Sequence, residues 1–208
     1  MPDTRPAITT IFFDIGGVLV NVEIQPLLEK ISRATGLRPE IIGQGMDSRA
    51  LHALERGEIT FRDYYDTIIT VLGCREALPY DEFRRLWLAV LQDETEVARH
   101  LPDVRKQVSV WLLSNTNHLH LAQLTKKYRF MAQVDGRIVS NEVGHRKPET
   151  EIYRTALQHS STQAQGALFI DDREDNVLAA RAMGIHAHQF VDWPKLRDWL
   201  GQNGLAKL

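Results

Sequence analysis

The chain has 208 residues, 43% of them hydrophobic, and a formal net charge of −2. That is enough for a full core with an insertion, and it offers no basic field for nucleic acid or an anionic membrane. Cys74 is the only cysteine, which excludes an internal disulfide. Neither a signal-peptide pattern at the start nor a bilayer-length apolar run is present, so a reducing, cytoplasmic setting is expected.

The first element is the run Ile11-Phe12-Phe13, which ends in Asp14 and is followed by Gly16 and Gly17. An apolar run of this kind reads as a buried parallel strand covered on both faces. It presents Asp14 at the carboxyl end, where open α/β sheets bind ligands. From Val22 to about Glu94 the pattern predicts helices throughout. Pro26 and Pro39 open two of them, and Gly36, Gly57 and Gly73 act as stops. Thr60 with Asp63 reads as a capping box. The aromatic stripes Phe61, Tyr64, Tyr65 and Phe83, Trp87 read as inter-helix core.

After Thr95, strands and helices alternate. A helix to about Lys106 precedes a strand over 108–113 that ends at Ser114-Asn115, and His118–Tyr128 is helical. A weaker strand covers 134–140, a loop runs from Gly144 to Pro148, and a helix from Glu149 to Ser160. Ala167–Ile170 is a strand ending in Asp171-Asp172; a helix, a strand from His186 and a last helix from Trp193 complete the chain. Alternation of this kind implies a Rossmann-like three-layer α/β/α core with a parallel sheet. Residues 1–20 and 95–208 then form the core, and 21–94 is a helical cap inserted after the first strand.

In a parallel sheet Asp14, Ser114-Asn115, Lys147 and Asp171-Asp172 face one cleft. Three carboxylates there repel one another, and a hard divalent cation such as Mg2+ removes the conflict. Ser114, Lys147 and the backbone amides after Asp14 are suited to phosphate oxygens. Asp14 is suited to act as a nucleophile that forms an aspartyl-phosphate. The partner expected is a small-molecule phosphate ester, with no nucleic acid or membrane.

These residues fall into four motifs: Phe13-Asp14-Ile15-Gly16-Gly17-Val18-Leu19; Leu112-Leu113-Ser114-Asn115-Thr116-Asn117; Gly144-His145-Arg146-Lys147-Pro148-Glu149; and Phe169-Ile170-Asp171-Asp172-Arg173-Glu174-Asp175-Asn176. In this order they resemble the haloacid dehalogenase (HAD)-like hydrolase superfamily. With Glu55-Arg56-Gly57-Glu58-Ile59-Thr60 they resemble its helical-cap sugar-phosphate phosphatases, the α-glucose-1-phosphate phosphatase group in particular. The resemblance implies a magnesium-dependent phosphatase. Asp14 would be nucleophile and metal ligand, and the Gly16 carbonyl and Asp172 would be further ligands. Asp171 would act through water or orient the ligands, with Asn176 in support. Ser114, Asn115, Lys147, Gly16 and Gly17 would hold phosphate.

One position departs from the pattern. Most phosphatases of the superfamily carry a general acid/base aspartate where this chain has Gly16, a loss worth about 10²–10⁴-fold, roughly 3–5 kcal/mol. A sugar 1-phosphate, whose leaving group needs little protonation, is one answer, and His145 or a cap residue standing in for the acid is another. A binding protein without turnover is a third. A 2-haloacid dehalogenase would have no use for the Asp171-Asp172 pair. His118/His120 and His186/His188 read as structural.

Overall fold

The computed structural model describes residues 7–203 and 205. Strand β1 (Thr10–Phe13) is followed by β2 (Val20–Val22), then by helices α1 (Gln25–Thr35), α2 (Pro39–Met46), α3 (Arg49–Glu55), α4 (Phe61–Leu72) and α5 (Tyr80–Leu88). Strand β3 (Leu91–Glu94) follows the helices and pairs with β2. The remainder is α6 (Glu96–Arg105), β4 (Ser109–Ser114), α7 (His118–Lys127), β5 (Gly136–Val139), α8 (Ser140–Val143) and α9 (Thr150–His159). It closes with β6 (Ala167–Asp171), α10 (Glu174–Ala182), β7 (His186–Gln189) and α11 (Trp193–Gln202).

The main sheet has five parallel strands in the order β5-β4-β1-β6-β7. Side chains alternate across it with period two. Ile11 and Phe13 join Val110, Leu112, Leu168 and Ile170 on the face covered by α6 and α11. Phe12, Leu113 and Phe169 lie on the opposite face, under Ile152 and Tyr153 of α9 and Val177 and Ala180 of α10. Phe12 and Phe13 are sealed, each contributing about 1.5–3 kcal/mol of apolar burial. With β1 central, Asp14 emerges midway along the carboxyl edge.

The five helices from α1 to α5 share a separate core that includes Leu27, Ile31, Ile42, Tyr64, Tyr65, Phe83 and Trp87. Thr60 and Asp63 form the expected capping box, and Gly36 and Gly73 end α1 and α4 in left-handed geometry. The expectation of an unbroken helical stretch over 22–94 is corrected at both ends. Val20–Val22 and Leu91–Glu94 pair as an antiparallel two-stranded sheet, so Val90 and Leu91 leave the helical stripe. These strands are three and four residues long and partly polar, too short for their alternation to stand out. Among the described residues no helix is long and apolar enough to cross a membrane.

Candidate active site

Three strands of the sheet and one loop deliver polar groups to one point. Asp14 follows β1, with its backbone N–H donating to Ile170 O at 2.9 Å. Its Oδ1 accepts from the Ile15 N–H at 2.7 Å and lies 2.9 Å from Lys147 Nζ. Asp171 ends β6, fully buried, and its Oδ2 lies 2.5 Å from the same ammonium. Lys147 comes from the loop before α9. It is 1% exposed and also donates to Leu113 O at the end of β4, at 2.9 Å. The Lys147–Pro148 peptide is cis. Asp14, Asp171 and Asp172 each offer a carboxylate oxygen, all within 4.8 Å of one another.

Burial pushes the Asp14 carboxyl up to about 7; the Lys147 ammonium opposes this and the Asp171 charge adds to it. Burial alone would lower Lys147, but the Asp14 and Asp171 carboxylates outweigh it and hold the ammonium above its ordinary range. Desolvation, then the Asp171 charge, raises Asp172. Three carboxylates against one ammonium leave an excess of negative charge. The donor set is all oxygen, which suits a hard cation of the magnesium type.

The predicted residues do not all make the expected contacts. Asp171 is saturated: Oδ1 accepts from Arg173 N–H (2.9 Å) and Asn176 Nδ2 (3.0 Å), and Oδ2 from Asn176 Nδ2 (3.1 Å) as well as Lys147. Both ends of the Asn115 side chain bond the Lys147 backbone, Nδ2 to its carbonyl at 2.9 Å and Oδ1 from its N–H at 2.7 Å. The Gly17 N–H, expected to meet phosphate, donates instead to Val20 O at 2.9 Å in the turn after Asp14. What Gly17 gives is space. A Cβ there would lie 2.4 Å from Asp172 Oδ2, at a backbone φ of +79°. Ser114 is buried beside Asp14, and its hydroxyl hydrogen bond works against the rise in the Asp14 pKa.

His145 is half-exposed and pairs with Glu149 at 3.8 Å rather than with Asp14. His118 meets the Asn141 side chain at 3.1 Å, and His188 packs on Trp199. Absent from the expectations are two ion pairs that tie α3 to the Lys147 loop. Arg146 Nε donates to Glu55 Oε2 at 2.6 Å, and Arg56 pairs with Glu149. All four residues stand in the quoted motifs, but no periodicity links positions some ninety residues apart.

The haloacid dehalogenase-like hydrolase family matches the chain over residues 8–184. The chain belongs to this family. Among its HAD relatives, a sesquiterpene phosphatase of Aspergillus oryzae is 29% identical over 184 residues, covering 86% of this chain and 88% of the relative. A D-ribitol-5-phosphate phosphatase of Bacteroides thetaiotaomicron is 23% identical over 89% of this chain and 95% of its own length. A HAD family enzyme of the same bacterium, solved in complex with magnesium and inorganic phosphate, superposes with a TM-score of 0.76. It is 26% identical over 91% of this chain and 99% of its own.

Proposed function

We propose that the protein is a magnesium-dependent phosphatase that hydrolyses a small phosphate monoester through Asp14. The observation that carries this reading is the cluster of Asp14, Asp171 and Asp172, with the buried ammonium of Lys147 against the first two. The relatives solved with magnesium and phosphate, or named as phosphatases, support it.

Asp14, Asp172 and the Gly16 carbonyl would hold the metal. Magnesium, when bound, supplies positive charge against the phosphoryl oxygens. An Asp14 oxygen attacks phosphorus and the bond from phosphorus to the alcohol oxygen breaks, leaving an aspartyl-phosphate and an alkoxide that takes its proton from solvent water. Water then attacks that phosphorus and frees Asp14 and inorganic phosphate. Lys147 offsets the negative charge of Asp14 and of the transferring group, and the Ser114 hydroxyl donates to a phosphate oxygen. Asp171 and Asn176 hold Lys147 in place, and Asn115 fixes its backbone. The helices of 21–94 act as the cap that closes over the centre, and 1–20 with 95–208 act as the catalytic core.

Phosphate release from a panel of small esters, acetyl phosphate included, tests the reading. Release is expected with magnesium, loss on adding EDTA, and a fall of about 10³-fold or more in Asp14→Asn. An Asp14→Asn variant that keeps its activity would overturn the role given to Asp14. Gly16 favours one other reading, phosphate-ester binding without turnover. Tight binding with every ester intact after long incubation would select it.

The two curated relatives differ in the organic part of their substrates, a sesquiterpene in one and a polyol in the other. A sugar 1-phosphate, as the resemblance implies, would need little from the acid missing at Gly16; an ordinary alcohol would need its proton from water or another side chain. The identity of the alcohol turns on what surrounds the phosphate position.

A further inference from the structure

A cavity of about 200 Å³ lies between the carboxyl end of the sheet and the helical insertion. Gly16, Ser114 and Asn115 line one side of it, which makes it continuous with the acidic centre. The rest is largely hydrocarbon: Val22, Leu51, Trp87, Val90, Leu91 and Leu124.

Four polar side chains in this lining, those of Glu55, Asn115, Asn117 and His120, are turned to other protein groups, while the Trp87 indole N–H is buried with no hydrogen-bond partner among the described residues. Glu55 is held by Arg146 at 2.6 Å. Asn115 is held at both ends by the Lys147 backbone. Asn117 Oδ1 accepts from the N–H groups of Leu119 and His120 at 3.1 Å each. His120 Nε2 donates to Trp87 O at 2.9 Å, its Nδ1 faces the Asn117 amide at 3.4 Å, and its ring lies flat on the Trp87 indole.

A carbohydrate drawn into this space would give up water from several hydroxyls and find one buried donor without a partner, the Trp87 indole N–H, against four polar side chains already engaged. An apolar pocket rejects an otherwise similar group that carries one extra hydroxyl by about 10²-fold. An apolar group has no such loss and gains from leaving water. The volume lies below the range of about 300–1,000 Å³ usual for drug-sized ligands, so a compact group suffices to fill it.

We infer that the organic part of the substrate is a compact apolar alcohol, of the short isoprenyl or aromatic kind, seated in this cavity with its phosphate at Asp14. The inference rests on the phosphatase reading above.

The test compares kcat/KM of the magnesium-loaded, full-length protein on four primary-alcohol esters: dimethylallyl phosphate, benzyl phosphate, glycerol 3-phosphate and glucose 6-phosphate. Their alcohol oxygens are similar leaving groups, so the comparison isolates the contacts of the organic part. The two apolar esters are expected to lead by about 10-fold or more. Leu51→Gln, which places an amide in the wall, is expected to cut that ratio by about 10-fold, chiefly through KM of the apolar esters. Equal or better turnover of the two polar esters would overturn the inference and leave the phosphatase reading standing. Failure of all four together with acetyl phosphate would remove the phosphatase reading and the inference with it.

Discussion

Gly17 holds the tightest geometric constraint in the centre. Asp172 lies over it so closely that any side chain would occupy the position of the carboxylate, and the positive φ adds strain. Gly17→Ala is therefore expected to displace Asp172 and weaken magnesium binding by about 10–100-fold, read by calorimetric titration. Unchanged magnesium affinity would show that Asp172 does not hold the metal. Gly16 is different. A Cβ there meets only Val22 Cγ2, at 3.3 Å, and Val22 is half-exposed and free to shift. The fold does not forbid a side chain at Gly16, so the missing acid is a property of the sequence and not a steric necessity. Asp14, Lys147, Asp171 and Asp172 were legible from sequence because each stands at a strand end or in a motif loop. The work of Asn115 and Gly17 was not, because it depends on contacts with Lys147 and Asp172, which no local pattern encodes.

At the scale of elements, α3 and the loop before α9 are joined by Glu55–Arg146 and Arg56–Glu149, one pair on each side of Lys147. Glu55 and Arg146 are 15% and 12% exposed, dry enough for the pair to matter more than a surface bridge. A double-mutant cycle with Glu55→Gln and Arg146→Gln, measured by urea unfolding, is expected to give a coupling of about 1–2 kcal/mol. Additive effects would mean the two side chains are neighbours without energetic linkage. Helix limits were legible where chemistry marks them, as at Thr60 with Asp63 and at Gly36 and Gly73. Strands β2 and β3 were not. Each exists only because the other lies beside it, across a gap of about seventy residues, and such pairing is tertiary rather than local.

Across the whole molecule, α7 links the two cores. Leu124 packs with the sheet, Leu119 packs against the helical insertion, and His120 stacks on Trp87 of α5. Desolvation pushes His120 down to about 4, although its bond to the Trp87 carbonyl opposes this. The unfolded chain takes up the proton near the ordinary histidine value of about 6.5, before the folded one does. The neutral ring thus contributes stability that is present above about pH 6.5 and is lost as pH falls toward 4, at most about 3 kcal/mol. Urea unfolding of the native protein and of His120→Gln at pH 7 and pH 5 checks this. The native protein is expected to lose more stability than the variant on acidification, and parallel losses would contradict it. The layer order of the sheet was readable from alternation alone, because both faces of β1 must be covered. The cavity was not, since its walls come from β2, β3, α3, α5 and α7, which meet only in three dimensions. The Lys147 loop carries a last consequence. The peptide of Lys147 is clasped by Asn115, while its neighbours Arg146 and Glu149 are clasped by α3. If 21–94 acts as the proposed cap, lifting it would tug on the segment that bears the ammonium. On that reading opening and disarming would be one movement, an interlock that arms the centre only on closure.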